Sequence, residues 1–427
     1  MKNFTLNYLR SCCEDTLHEL YPAGLPDEIS RRYEHEIGYL TENPDLLDDF
    51  LLFKELSDAV KRTCGKLWLS GMVSNSILVY LLGDHELNPM PAHYYCPHCG
   101  YYHEQPETVV GLDLPEEKCP RCDTILRRDG FSLREEYVWK VSSGIDFEYV
   151  ITSRLIPLAR KVIDRHYAKQ QRHTALISSR YCEENSRAFG IVVFPMGKCL
   201  ADYNELIGIT QDGEDCLRSD WGLLEQCDVK RIPLLSITWL DRLDELQWET
   251  GILNDNLTTV KSLSDVSYRD ILNTSVLSQD EFDVFFKRKP ETFREKTNLL
   301  VATRNSYSGP NRRFTDTSLD VFEKLADDPL FLSFPIHTRD DVFDILRSSY
   351  KDDDRAFLDA ENMGKGEPFG AYCTFDPAVL AVMNLAQHID YLHSRAYFQW
   401  RALQYTRLAK YLKLDRRTYC KVVFSHA

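Results

Sequence analysis

Apolar residues near the start of the chain recur every three or four positions, which is typical of amphipathic helices. The segments with this spacing are 5–20, 27–40, 45–63 and 73–83. Asp27 can act as the N-cap of the second segment, and Pro22-Ala23-Gly24 separates it from the first. The pattern therefore predicts an N-terminal part built from packed helices.

The pattern changes to mixed strands and helices after about residue 129. We predict a helix over 151–169, with Ile151, Leu155 and Leu158 on its apolar face. The β-branched run from Phe189 to Pro195 predicts a buried strand. From about 252 onward the pattern is mainly helical and polar, with loops predicted around 253–266 and 303–318. It ends in a helix over about 380–412. These elements together predict an α+β protein.

The polar face of the predicted helix over 151–169 is basic. Its positive side chains are Arg154, Arg160, Lys161, Arg165 and Lys169, and Arg172 follows the helix. Such a stripe can track a nucleic-acid backbone. It can also dock on acidic surface elsewhere in the chain, or lie solvated on the helix face.

The composition of the chain limits the classes of protein to which it can belong. The chain has 427 residues, 43% of them hydrophobic, and a net charge of −15. We expect a cytoplasmic protein outside the membrane, because the sequence has neither an apolar run of about 20 residues nor a signal-peptide core. The acidity argues against strong non-specific binding to nucleic acid, although a local basic patch can still bind it.

Two Cys-Pro-x-Cys motifs carry the strongest chemical signal. The first contains Cys96 and Cys99, and the second contains Cys119 and Cys122. Two such knuckles can direct four thiolates at one Zn²⁺ ion, and four protein ligands leave no position for a reacting water. We therefore predict a structural zinc ion. The alternatives are four free cysteines in a core, or disulfides in an oxidising compartment.

The residues around these motifs resemble one family. Asn88-Pro89-Met90-Pro91-Ala92-His93-Tyr94 leads into the first motif, and Gly111-Leu112-Asp113-Leu114-Pro115 precedes the second. This arrangement resembles the PolC-type alpha subunit of bacterial DNA polymerase III. The resemblance implies a palm-like mixed sheet with helices, an inserted zinc ribbon and a mainly helical, fingers-like C-terminal half. It divides the chain into a helical part of the palm, the zinc ribbon, the palm-like core and the fingers-like domain, over 1–90, 91–128, 129–250 and 251–427.

The resemblance also locates the family's catalytic carboxylates, which would hold two Mg²⁺ ions. Asp146 matches the second aspartate of the family motif, Gly144 stands in place of the first, and Glu148 follows on the same strand face. Asp228 is the acid nearest the third position, where a gapless match puts Lys230. The alternative for Asp146 and Glu148 is two ordinary surface acids on an edge strand.

Nucleotide contacts are altered in the same comparison. The family has a Gly-Ser-rich turn with an Arg, whereas this chain has Ser70 at that place and a bulky Trp68 before it. Arg172 remains near a nucleotide-binding segment. Arg395 keeps the charge of the family's Pro-Lys-x-His segment, in which Tyr397 replaces the His.

We therefore expect a truncated, catalytically degenerate palm and fingers protein that acts by binding or regulation. DNA and replisome proteins are the expected partners. One alternative is an active DNA-directed DNA polymerase that binds Mg²⁺ through Asp146, Glu148 and Asp228. The other is a zinc-stabilised adaptor with no nucleic-acid role.

Overall fold

The structure is a computed structural model of the chain. It describes the residues in the following ranges: 2–63, 65–83, 86–139, 147–178, 188–210, 213–218, 227–236, 241, 244–245, 292–302, 306–307, 338–364, 379–380, 389–391, 394–400 and 402–403.

Nine helices can be assigned bounds within these residues. In chain order, α1 to α9 are Lys2–Leu20, Asp27–Glu42, Pro44–Lys61, Ile77–Leu82, Glu136–Trp139, Ile156–Ala168, Phe293–Ala302, Arg339–Tyr350 and Asp353–Gly364. Short 3₁₀ turns lie at Met72–Asn75, Gly111–Asp113, Ser153–Leu155 and Leu200–Leu206. Residues 395–400 are also helical.

Twelve strands lie in the same described residues. In chain order, β1 to β12 are Leu67–Ser70, His93–Tyr95, Tyr102–Glu104, Arg127–Asp129, Glu148–Ile151, Thr174–Ser178, Ala188–Val193, Ile207–Ile209, Asp215–Arg218, Lys230–Leu235, Ser306–Tyr307 and Ile389–Tyr391.

The chain divides into two compact units. Unit 1 comprises Met1–Leu20, Ser30–His85 and Ser143–Leu253. Unit 2 comprises Tyr21–Ile29, Glu86–Ser142 and Asn254–Ala427. The four-part division from the sequence is not tested by these bounds and stays a prediction.

Unit 1 is organised around a seven-stranded mixed sheet in the order β1-β5-β10-β7-β6-β9-β8. β5 lies inside this sheet, antiparallel to β1 and parallel to β10. Glu148 therefore belongs to an interior strand and not to an edge strand, because both neighbouring positions are filled. Ser70 is its partner across the β1–β5 pair.

Helices α3 and α6 pack against each other and supply much of the core of unit 1. Phe53 of α3 lies 6.5 Å from the ring of Tyr149 on β5, and Phe50 lies 5.3 Å from Phe147. Ala159 and Ile163 of α6 are buried with them. Helices α1 and α4 pack with α3 in the same unit, which also includes α2 from Ser30 onward.

Unit 2 contains a three-stranded antiparallel sheet in the order β3-β2-β4. The two cysteine motifs follow β2 and precede β4. Helices α8 and α9 pack against each other in the same unit, and Tyr137 of α5 packs between Phe343 of α8 and Phe357 of α9.

Three predicted elements differ from the structure. Ile151 ends β5, where it pairs with Leu67, and α6 begins only at Ile156. Pro157 explains this start, since proline fits the first helical turn, where an N–H has no partner within the helix. Residues 389–391 and 306–307, predicted as helix and loop, pair as antiparallel strands.

The predicted α+β class is confirmed by this combination of helices and a mixed sheet. Among the described helices, none combines the length and apolar character that crossing a membrane requires.

Candidate metal centre and nucleotide-binding residues

The four predicted cysteines come together in unit 2. The sulfur atoms of Cys96, Cys99, Cys119 and Cys122 all lie within 4.8 Å of one another. Cys96 and Cys122 approach to 3.4 Å, and Cys99 and Cys119 approach to 3.5 Å. A tetrahedral zinc site with bonds of about 2.3 Å requires sulfur atoms about 3.8 Å apart. The donor set and its spacing therefore fit Zn²⁺.

The two knuckles have the same backbone construction. The N–H of Cys96 donates to Tyr101 O at 2.8 Å, and the N–H of Cys119 donates to Thr124 O at 2.7 Å. In each knuckle the residue after the second cysteine has a left-handed backbone, with φ of 71° at Gly100 and 59° at Asp123. Local sequence thus fixes where each pair of sulfurs points.

The thiols differ in how readily they ionise. Hydrogen bonds with the side chain and backbone of Thr124 lower the pKa of Cys122 to about 6. The backbone bond to Tyr101 favours the Cys99 thiolate, but desolvation and the neighbouring thiols outweigh it and raise the pKa of Cys99 to about 12. Four thiolates at one point repel one another, so a bound divalent cation would favour full deprotonation.

Asn88 is a positioning residue of this centre whose role the sequence did not reveal. Its side chain is buried and donates to Asp129 Oδ2 at 2.9 Å and to the Tyr21 hydroxyl at 3.2 Å. Its own Oδ1 accepts from the N–H of Met90 at 3.2 Å. Asp129 ends β4, so Asn88 ties the segment before β2 to the strand after the second knuckle.

Arg127 packs against two aromatic rings and so helps to hold the cysteine-containing segment in place. Its guanidinium lies 5.1 Å from the ring centre of Tyr21 and 5.0 Å from that of Tyr95. Tyr95 also accepts a hydrogen bond from the N–H of Ala23 at 3.1 Å. The ribbon is therefore held by residues 21–24 as well as by its own strands.

Two of the three predicted catalytic carboxylates, Glu148 and Asp228, are described in the sheet region of unit 1. Asp146 falls outside the described residues, as does Gly144. Glu148 begins β5, and Asp228 is exposed two residues before β10. Because Asp146 is not described, the three-carboxylate arrangement stays a prediction.

Lys230 lies on the opposite face of the sheet from Glu148. Leu234 pairs with Tyr149, and alternate residues of a strand share a face, so Lys230 shares the face of Tyr149. There its ammonium group forms an ion pair with Asp49 of α3. Burial raises the pKa of Asp49, although Lys230 partly opposes this effect. The positive charge is thus neutralised inside unit 1.

Much of the predicted basic stripe is also paired. Arg154 forms two hydrogen bonds of 2.6 and 2.7 Å with Asp244. Arg160 binds Glu214 at 2.6 Å. Arg172 donates to the carbonyl of Phe194 at 2.8 Å. These three side chains therefore bind acidic and carbonyl groups of the same unit, which is the second of the alternatives given above.

Lys161 and Arg165 differ from the rest of the stripe. Both are exposed on α6, one turn apart. Neither forms an ion pair with any residue that the structure describes. They are the members of the stripe with charge available to solvent or to a partner.

Arg395 lies in the interior of unit 2. Its guanidinium binds Asp341 at 2.8 Å, Asp344 at 3.0 Å and the carbonyl of Ser132 at 2.9 Å. Its side chain is only 4% exposed. Arg395, which was predicted to contact a nucleotide, therefore binds the protein's own carboxylates.

The turn over residues 71–76 of unit 1 matches the family's Gly-Ser-rich turn and is closed by an internal carboxylate. Glu36 is completely buried and accepts hydrogen bonds from the Ser76 hydroxyl, from the N–H of Ile77 and from Arg32. The N–H groups of Ser74 and Ser76 donate to carbonyls within the turn. Burial raises the pKa of Glu36. The N–H and hydroxyl groups of the turn that could donate to a phosphate therefore already donate to groups of the protein.

The fold and the four-cysteine cluster define an α+β protein with a site that could hold a metal ion such as Zn²⁺. No protein-family model matches the chain. Curated relatives do match. A PolC-type DNA polymerase III of Thermotoga petrophila is 33% identical over 127 residues, which are 29% of this chain and 9% of the relative.

Two further relatives carry the same name. The PolC-type DNA polymerase III of Caldanaerobacter subterraneus is 30% identical over 166 residues, covering 38% of this chain and 12% of the relative. That of Lacticaseibacillus paracasei is 31% identical over 124 residues, covering 28% and 8%. The matched part thus spans about a tenth of each relative. The chain contains a segment related to PolC-type DNA polymerase III.

Proposed function

We propose that this chain is a degenerate PolC-like palm and fingers protein, stabilised by zinc, that binds DNA or replisome proteins without polymerase activity. The family relationship supports a role close to DNA. The four-cysteine centre would hold Zn²⁺ as a structural ion, because its thiols would fill all four positions of a tetrahedral site.

The observation that carries the proposal is the pairing of groups that a polymerase would direct at its ligands. Arg395 binds Asp341 and Asp344. Lys230, which only a gapless sequence match puts at the third catalytic position, binds Asp49 on the sheet face opposite Glu148. Glu36 occupies donors of the Gly-Ser turn. Each group would have to break an internal ion pair or hydrogen bond before meeting a triphosphate or a metal ion. Breaking a buried pair costs about 3–5 kcal/mol.

DNA binding through α6 is supported by the exposed basic side chains that have no internal ion pair among the described residues. Lys161 and Arg165 present two positive charges on one helical face. Each phosphate neutralised by such a residue releases counterions, so the affinity would fall as salt rises. Two contacts give modest affinity, consistent with the net charge of −15.

The test is a fluorescence-anisotropy titration with primed and single-stranded DNA at several salt concentrations. We expect binding that weakens with salt, and a slope of log K against log salt reduced by about two in the double variant Lys161→Glu and Arg165→Glu. Lys198→Glu is the matched control, since Lys198 is another exposed lysine of unit 1. Its slope should change by less.

Two results would replace the proposal. DNA binding that is absent at about 50 mM salt would favour the zinc-stabilised adaptor without a nucleic-acid role. Template-dependent extension of the primer, lost in Asp146→Asn, would favour a working nucleotidyltransferase that uses Asp146, Glu148 and Asp228.

A further inference from the structure

A buried histidine joins α6 to α3 in unit 1. The ring of His166 lies on α6 with a side chain only 3% exposed. Its Nε2 is 3.1 Å from Asp48 Oδ1, and its Nδ1 is 3.1 Å from Glu55 Oε2. Both acids lie on α3. The ring therefore bridges two carboxylates of one helix.

This geometry determines the protonation state of the ring. A neutral imidazole has one N–H donor and one nitrogen that can only accept. An ionised carboxylate has no proton to donate. Two carboxylates at hydrogen-bond distance from both nitrogens thus require two N–H groups, which only the imidazolium has.

The surrounding groups balance this positive charge. From α3, Asp49 lies near the ring and is itself paired with Lys230 of β10. Just after α6, Lys169 binds Glu55 at 3.1 Å. Gln170 donates to Asp48 at 2.9 Å, and its amide nitrogen also lies 3.3 Å from His166 Nε2.

Two tyrosines complete the surroundings. Tyr149 of β5 and Tyr167 of α6 are buried, and the carboxylates of Asp48 and Asp49 contribute to raising the pKa values of both, after burial itself. Arg172, beyond the end of α6, lies 5.5 Å from the ring centre of Tyr167 and partly offsets this effect. Positive and negative groups therefore alternate from Lys169 through Glu55, His166 and Asp48, with Asp49 and Lys230 beside them.

We infer that His166 is an imidazolium that ties α6 to α3, and that its deprotonation loosens this attachment. This attachment of α6 to α3 does not depend on whether the chain binds DNA, because it consists of contacts within unit 1. It makes the position of α6, which carries Lys161 and Arg165, dependent on the charge of one buried ring.

The direction of the pH dependence follows from the shifted pKa values. Burial alone would lower the pKa of His166, but the two carboxylates raise it overall to about 9. The stabilisation is therefore complete below the ordinary histidine pKa of about 6.5, and is lost as the pH rises through about 9. The bond from His166 lowers the pKa of Glu55, and it also lowers that of Asp48 against the effect of burial.

The first test is the ¹⁵N NMR titration of the histidine rings in the full-length protein, with His166 assigned by its loss in His166→Gln. We expect both ring nitrogens to be protonated at pH 7 and the ring to titrate near pH 9. In Asp48→Asn the titration should move toward lower pH by about one unit or more. Asp58→Asn is the matched control, because Asp58 is on α3 but pairs with Lys54.

A second measurement compares urea midpoints between pH 6.5 and 9.5. The parent protein should lose stability over this range, whereas Asp48→Asn should show a flatter dependence. A single protonated nitrogen at pH 7, a titration at or below pH 6.5, or an equal shift in Asp48→Asn and Asp58→Asn would overturn the inference. The NMR result on the parent protein decides the question even where a variant fails to fold.

Discussion

Replacing Arg395 by methionine should destabilise unit 2 strongly. The guanidinium forms hydrogen bonds of 2.8, 3.0 and 2.9 Å with Asp341, Asp344 and the carbonyl of Ser132. The same region contains Asp340, which accepts from the N–H of Arg395 at 2.8 Å. Methionine fills much of the volume but leaves Asp341 without its nearest cation, whereas Asp344 keeps Arg134 at 2.7 Å.

The magnitude follows from burial. The side chains of Arg395 and Asp341 are 4% and 7% exposed, so solvent screens their interaction little. Removing one partner of a buried pair costs about 3–5 kcal/mol, because the remaining charge stays desolvated. Burial alone would lower the pKa of Arg395, but Asp341, Asp344 and Asp340 raise it overall, as expected for a favourable interaction.

The assay is urea unfolding at pH 7, monitored by tryptophan fluorescence and far-UV circular dichroism. Arg347→Met is the matched control. Arg347 lies on α8 and pairs with Glu136 and Asp353, but its side chain is 37% exposed. Pairs this exposed contribute about 0–1 kcal/mol. The loss in Arg395→Met should therefore exceed that in Arg347→Met severalfold.

The opposite result would refute the reasoning. If Arg395→Met unfolds at the same urea concentration as the parent protein but loses affinity for a deoxynucleoside triphosphate, Arg395 is a ligand-binding residue. The internal network would then be secondary to that role.

Three further predictions concern the metal, a glycine and an ion pair. Removing the metal with a chelator should lower the melting temperature clearly, and Cys119→Ser should lose the one bound zinc ion that Cys12→Ser, a control outside the cluster, retains. Gly100→Ala should cost roughly 1–3 kcal/mol in urea unfolding, since its φ is 71° and a Cβ would lie 2.6 Å from Ala23 O; Gly197→Ala, with φ of 77° and no atom within 4 Å, should cost less. Lys230→Met should cost about 1–3 kcal/mol at pH 7 and less near pH 4, where the Asp49 carboxyl that burial already shifts upward becomes protonated. Equal losses at both pH values would contradict a charge effect at Asp49.

The metal centre was the most predictable feature because its signal is local. Cys96 and Cys99 are close in the chain, and so are Cys119 and Cys122, and each knuckle closes through its own backbone. Only the meeting of the two knuckles needed tertiary structure. The helical N-terminal part was predictable for the same reason, since α1 to α3 follow the apolar spacing.

The partners of the charged residues could not be predicted from spacing. Arg154 and Asp244 are 90 residues apart, and Lys230 and Asp49 are 181 apart. A basic stripe has the same pattern whether solvent, nucleic acid or internal acids face it. The strand β12 was missed because its apolar residues also fit a helical spacing, and pairing with β11 decided its conformation.

We propose that this chain, which contains a PolC-related segment, does not perform phosphoryl transfer. The most direct measurement is single-turnover primer extension at protein excess, with Mg²⁺ or Mn²⁺, beside the variant Asp146→Asn. The account predicts no template-dependent extension by the parent protein and no change in Asp146→Asn. Extension by the parent protein that Asp146→Asn abolishes would contradict it.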